Sequence, residues 1–226
     1  EEFTQAMRNT ARRVGLSCDF AREYLTDAPD YRSVTQSIFV ELFKNGTIVE
    51  DLRPNIYDPV EGTTIADAEV ERLSRKTKLV DVIWQLDDGT EVIISTTRPE
   101  LICACGVVVV HPEDERYQHL VGKEISLPLP VDGREKFVKI QTHPSVKSEF
   151  GSGVLMVCSF GDQNDVAVFR ELGLTPFQAI NLEGCMTEIA AQWSGMTVIE
   201  ARKSIIEYLT AHDKIAKIEE REQEVP

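Results

Sequence analysis

The chain has 226 residues, 42% hydrophobic and 27% charged, the balance of a soluble globular protein with one large domain or one domain plus an appendage. Its net charge of −14 argues against an extended phosphate-gripping groove, because such binding depends on basic surface that displaces counterions. No apolar run approaches the ~20 residues that cross a bilayer, and no basic start leads into an apolar stretch as in a secretory signal.

The chain opens Glu1-Glu2-Phe3 without an initiator Met, so a piece of a longer polypeptide is expected. Phe3, Met7, Ala11 and Val14 recur at near-helical spacing, and Gly15 fits the stop of that helix. After Ala28-Pro29-Asp30, a second amphipathic run over 31–43 sets Val34, Ile38 and Leu42 on one stripe. Two helices without a sheet partner make a poor domain. Residues 1–54 are therefore expected to be the edge of a larger body.

Arg53-Pro54-Asn55 and Asp58-Pro59 break the helical pattern and mark an extended connector over 55–78. From Leu79 the period becomes two. Val80, Val82 and Trp84 alternate with polar residues, Asp87-Asp88-Gly89 turns, and 92–95 returns as the second arm of a hairpin. Further strands are predicted at 107–111, 138–141 and 153–158. Helices are predicted over 164–172, stopped by Gly173 and Pro176, and over 198–211, while the charged tail 217–224 is expected to fray. The fold class is α+β: a closed or nearly closed β-barrel-like core over 79–211 with peripheral helices, and 212–226 as a return segment.

Five Cys residues form no C-x-x-C pair, and their odd number speaks against a disulfide framework and for a reducing cytoplasm. Cys103 and Cys105 are expected on one face of a strand as small buried thiols. The four His residues lack H-x-x-x-H spacing, and neither a G-x-S-x-G elbow nor a G-x-x-x-x-G-K phosphate loop is present. His111-Pro112 and His143-Pro144 read as turns, and Asp114-Glu115-Arg116 as a solvated loop or helix start with local ion pairing.

Two segments hold polar residues that folding alone leaves unexplained: Ser95-Thr96-Thr97-Arg98-Pro99-Glu100 and Ser159-Phe160-Gly161-Asp162-Gln163-Asn164-Asp165. Each follows an apolar strand directly, and strand-end loops are where sites concentrate on a rigid scaffold. Ordinary roles compete in both places. Thr96 and Thr97 are good strand residues, Pro99 ends a strand, and Asp162 or Asn164 suits the N-cap of the helix that follows.

These same segments carry a family resemblance. The run from Ser95 to Glu100, then Val109-Val110-His111-Pro112-Glu113-Asp114-Glu115-Arg116-Tyr117 and His119-Leu120-Val121-Gly122-Lys123, resembles the editing domain of class I valyl-tRNA synthetases. Gly151-Ser152-Gly153-Val154 with Cys158-Ser159-Phe160-Gly161-Asp162 and Asn164-Asp165 is similar to the second editing segment, in its archaeal-type form. Asn55-Ile56-Tyr57-Asp58-Pro59 and Asp67-Ala68-Glu69-Val70-Glu71 resemble the stretch through which the catalytic core enters this insertion. The isoleucyl enzyme, which shares the architecture, is the nearest alternative. Its counterpart of 111–123 usually lacks the His-Pro-Glu-Asp-Glu-Arg-Tyr wording.

The resemblance implies post-transfer editing, the hydrolysis of misacylated Thr-tRNA(Val), by a segment that lacks the ATP-using aminoacylation site. It implies Asp165, Asp162 and Thr96 as catalytic residues. Asp165 would hold the α-ammonium of the attached amino acid, and Asp162 would orient its hydroxyl or the hydrolytic water. Thr97, Arg98, Glu100, Cys158 and Phe160 would bind substrate, Arg98 at the phosphate of the terminal adenosine and Glu100 at a ribose hydroxyl or as a buttress for Arg98. Family members that bind zinc carry Cys near positions 57–62. None stands there here, so no metal and no editing cofactor is expected. Lys and Thr of bacterial-type relatives are replaced by Met156 and Cys158, and Leu101 stands where those relatives have Thr. The expected partners are the 3′ end of tRNA(Val) and the remainder of a parent synthetase in cis, with no membrane, in a cytoplasmic monomer. A non-catalytic interaction module, in which both loops merely cap and pack, is the reading from a different class.

Overall fold

The computed structural model describes residues 2–51 and 54–225, which form two compact units, the first up to residue 53 and the second from Pro54 onward. Arg53, read above as part of the connector, lies outside the described residues. In the first unit, α1 spans Glu2–Arg13 and α2 spans Pro29–Lys44. Gly15, at φ +77°, closes α1, with the amide of Leu16 on the carbonyl of Ala11 at 3.0 Å. Pro29 starts α2, where its missing N–H costs nothing. No residue of either helix is buried within this unit, and Ile38, Phe39 and Phe43 remain more than half exposed.

The second unit is built on strands. A small hairpin, β1 (Ile56–Asp58) with β2 (Thr63–Ile65), forms inside the segment read as a connector. The main sheet contains β3 (Leu73–Leu86), β4 (Glu91–Thr96), β5 (Cys105–Val110), β6 (Glu124–Ser126), β7 (Phe137–Thr142) and β8 (Val154–Cys158) in the order β4-β3-β6-β7-β5-β8. Its neighbours are antiparallel except β5 with β7. The two ends of that order come together through side chains: the amide of Ser152 donates to Ser95 Oγ at 3.2 Å, and Ser95 Oγ donates to Asp81 at 2.6 Å. The sheet is thus a nearly closed barrel, as expected.

Residue alternation explains why it curls. Val80, Val82, Trp84, Ile94, Val108, Val110, Ile125 and Ile140 fill one interior. Val107, Val109 and Val157 point the other way, into a smaller cluster with Val168 and Phe169 of α3 (Gln163–Glu171). The unbroken run Val107-Val108-Val109-Val110 is therefore a strand buried on both faces. On another side, α4 (Val198–Ala211) buries Ala201, Ile205 and Leu209, one every four residues. A capping box starts α4: Thr197 Oγ1 accepts from the amide of Glu200, whose carboxylate accepts from the amide of Thr197 at 3.0 Å.

Three expectations are corrected. The tail 217–224 does not fray, because β9 (Ile215–Val225) pairs with β3 from Val82 back to Leu73. Its charges sit opposite those of β3, Glu222 across from Lys76 and Glu220 across from Lys78, so like charges do not face each other there and the backbone ladder holds the strand. Cys103 and Cys105 do not share a strand: Cys103 ends up in the 3₁₀ turn Pro99–Ala104, and Cys105 begins β5. Both are buried free thiols nonetheless, and burial pushes the Cys103 thiol up to about 11. Asp114 is not solvated either, being 8% exposed and clamped by Arg116 Nε at 2.9 Å and Nη2 at 2.6 Å, with Arg116 also on the carbonyl of Ser148.

Candidate functional site

The two polar segments, more than sixty residues apart in the chain, meet. Arg98 Nη1 donates to the carbonyl of Gly161 at 2.8 Å and joins the loop after β4 to the loop after β8. On the first loop, Thr96 is buried and its Oγ1 accepts from the amide of Arg98 at 3.0 Å, which turns the chain out of the strand. Glu100 is wholly buried in the 3₁₀ turn Pro99–Ala104. A buried carboxylate needs partners. It has two: Arg98 Nε at 3.3 Å, and Arg202 of α4 at 2.9 and 2.7 Å through Nε and Nη2. Glu100 therefore buttresses Arg98 and has no surface of its own for a ribose.

On the second loop, the chain leaves β8 with Ser159 anchored on both sides. Its amide donates to Ala104 at 3.1 Å, and its Oγ accepts from the amide of Phe177 at 2.7 Å. Phe160 takes a left-handed conformation, φ 55°, with its ring about half exposed at the mouth of the turn. A non-glycine residue there is uncommon and strained, and such strain is found at positions the surrounding structure over-determines. Asp162 is the N-cap of α3, its Oδ1 accepting from the amide of Asp165 at 2.8 Å. The capping reading of Asp162 is thus realised, and it leaves the rest of that carboxylate exposed.

Asp165 lies in the first turn of α3 and folds back, its Oδ2 accepting from the amide of Cys158 at 3.1 Å. A methyl group on Gly161 would collide with that same oxygen, so only glycine lets the carboxylate lie there. Burial, and then the nearby charge of Asp162, push the Asp165 carboxyl up to about 7; the Cys158 amide and Arg98 pull the other way. Cys158 contributes this amide, while its thiol is buried and held above the usual range by Cys105 and by burial. Thr97 lines a groove beside the loop.

Thr96, Arg98, Glu100, Cys158, Phe160, Asp162 and Asp165 are therefore linked by direct bonds or adjacent in one turn. Three carboxylates, Glu100, Asp162 and Asp165, stand with two guanidinia, Arg98 and Arg202, and the surplus of negative charge suits a small cation such as an ammonium group. Among the described residues no three His, Cys, Asp or Glu side chains converge as metal ligands. Sequence reasoning missed Arg202, which stands 102 residues from Glu100 and carries no local signal. It also passed over Gly161, although a glycine four residues before a carboxylate hints at close approach.

The family model for class I tRNA synthetases (I, L, M and V) matches residues 1–220. The valine–tRNA ligase of Archaeoglobus fulgidus is 42% identical over 96% of this chain and 24% of its own length; that of Methanocaldococcus jannaschii is 40% identical over 100% and 25%. The chain thus spans about a quarter of these relatives. Among solved structures, a LeuRS of Agrobacterium radiobacter in a ternary complex is similar over 98% of this chain and 36% of its own, with a TM-score of 0.48 and 16% identity.

Proposed function

The chain belongs to the class I tRNA synthetase family (I, L, M and V), and from that membership we propose that it is a post-transfer editing segment, hydrolysing Thr-tRNA(Val). The observation that carries this reading is the seating of Asp165. A mostly buried carboxylate raised to about 7 is a poor surface residue but a good receptor for an ammonium group, whose charge restores its ionised form. The amino acid attached to a tRNA presents such a group next to the ester.

The roles follow from position. Asp165 holds the α-ammonium. The exposed part of Asp162 orients the side-chain hydroxyl of threonine or the attacking water. Arg98, whose orientation Glu100 fixes, stands at the phosphate of the terminal adenosine, and Phe160 lies at its base or ribose. An aminoacyl ester is already activated, so positioned water suffices for hydrolysis, without a covalent nucleophile. The ester C–O bond breaks, water supplies the hydroxyl of the released amino acid, and the ribose oxygen takes the proton.

Selection against valine has a physical basis. An apolar synthetic pocket shaped for valine rejects an isostere with an added hydroxyl only weakly, the valine–threonine pair being the standard instance. A pocket that hydrogen-bonds the hydroxyl rejects valine, since buried polar groups would be left unpaired. The acidic chain fits a site that meets only the single-stranded 3′ end, with most tRNA affinity supplied elsewhere.

The test is hydrolysis of Thr-tRNA(Val) against Val-tRNA(Val), by this chain and by a full-length valine–tRNA ligase carrying it. Loss of threonine alone, abolished by Asp165→Ala, is expected. Full activity of that variant would overturn the assignment, and nanomolar tRNA binding by the chain alone would contradict the division of labour.

A further inference from the structure

Beside the site loop lies a groove of about 250 Å³ whose lining includes Thr97 and Pro99 of that loop, Lys76 and Lys78 of β3, Arg202 of α4 and Glu220 of β9. In a chain of net charge −14, this depression gathers three cations, of which Arg202 is already paired with Glu100, so Lys76 and Lys78 are the charges it offers. Lys76 and Lys78 sit two residues apart on one face of an extended strand, about 7 Å along it, so they present two positive points in a line and not a cage for one ion. Their cross-strand neighbours are Glu222 and Glu220, yet among the described residues neither ammonium has a carboxylate within 4.0 Å. Arg202 commits Nε and Nη2 to Glu100, and among the described residues its Nη1 has no hydrogen-bond partner. Through Glu100 it is also tied to Arg98, so the groove and the site loop share one rigid support.

We propose that this groove takes the phosphodiester backbone of the single-stranded nucleotides that precede the terminal, aminoacylated one. The inference rests on the editing reading and adds to it the path by which the strand reaches Thr97 and Arg98. A single strand held at its phosphates needs spaced cations beside the loop that holds its last nucleotide, and no base-specific contact. Glu220 works against that binding, which keeps the strand releasable.

The experiment compares two substrates in a full-length valine–tRNA ligase carrying this chain: Thr-tRNA(Val), and the threonyl ester of adenosine, which has no phosphate. The Lys76→Gln/Lys78→Gln double variant is expected to raise KM for the tRNA several-fold with kcat little changed. It is also expected to lower the log–log salt slope by roughly 1.4, at ~0.7 per single-strand phosphate. Hydrolysis of the nucleoside ester is expected to be unchanged, and Glu220→Gln to lower KM for the tRNA. Unchanged KM and slope in the lysine variant, with Asp165→Ala inactive, would overturn the groove and leave the editing reading intact. Equal losses on both substrates would also overturn it, by showing that the lysines act on site geometry. Full activity of Asp165→Ala would remove the editing reading and this inference together.

Discussion

At the scale of single residues, the site is set by three details. Gly161 has no β-carbon, Asp165 folds back onto a strand amide, and Glu100 is buried between two guanidinia. Each predicts a different signature. Because burial holds Asp165 above its unfolded value, its contribution to stability is fully present below the unfolded value near 4 and is lost as pH rises through about 7. Asp165→Asn keeps an acceptor for the Cys158 amide without the charge. It should therefore unfold at higher denaturant than the parent at pH 8, by about 2 kcal/mol, with the difference closing toward pH 4 in urea titrations. The same variant should lose editing, so the carboxylate is kept at a cost in stability. In the parent, KM for the aminoacyl ester should fall as pH rises from about 6 toward 7, as the carboxylate ionises, and rise again above about 8, as the substrate's α-ammonium loses its proton; a flat profile would contradict that role. Gly161→Ala should abolish hydrolysis by displacing Asp165, with the strand and helix signals of circular dichroism retained.

At the scale of elements, the positions of α3 and α4 are decided by packing. An added β-carbon at Gly106 of β5 would stand 2.5 Å from the ring of Phe169, so the strand has no side chain there because α3 lies against it. Gly106→Ala should cost about 1–3 kcal/mol in thermal unfolding, by overpacking, and should weaken editing by tilting the helix that carries Asp165. The far end of α3 is tied to β7 through His143, whose Nε2 meets Glu171 at 2.9 Å and whose Nδ1 meets Ser145 Oγ at 2.7 Å. The His143-Pro144 dipeptide is a turn, as read, and also an anchor, which one sequence cannot reveal because Glu171 is 28 residues away. On α4, Arg202 closes the Glu100 pair. Arg202→Ala leaves Glu100 with Arg98 alone and should destabilise by about 3 kcal/mol, the cost of a buried ion pair that loses one partner. A change below 1 kcal/mol would mean that water replaces the guanidinium.

At the scale of the whole molecule, β9 returns the chain onto β3 and covers the edge opposite β4, which the short β6 leaves open below Gln85. Deleting residues 215–225 should expose that edge, and the amides of Leu79 and Asp81, on the same side of β3 as the Ile83 amide that meets Lys214, should then lose hydrogen-exchange protection. Much of this architecture was legible in the sequence, because local periodicity reports which face of an element is buried. Val80-Val82-Trp84 announced a strand, Asp87-Asp88-Gly89 its turn, and the pattern over 198–211 matches α4 at both ends. The two polar segments that meet in the candidate site were legible too, since each follows an apolar strand directly and holds more polar side chains than a cap or a turn requires. Local pattern carries no information about which distant charges meet. A strand as polar as 217–224 reads as a fraying tail until its partner is known, because its stability comes from a ladder with residues more than a hundred positions earlier. The sequence by itself determined the class of fold, the helices, the apolar strands and the candidate residues. Only the tertiary structure decided that Arg202 fixes Glu100, that Gly161 makes room for Asp165, and that Lys76 and Lys78 share a groove with Thr97, since each depends on contacts between segments that burial and charge bring together in space.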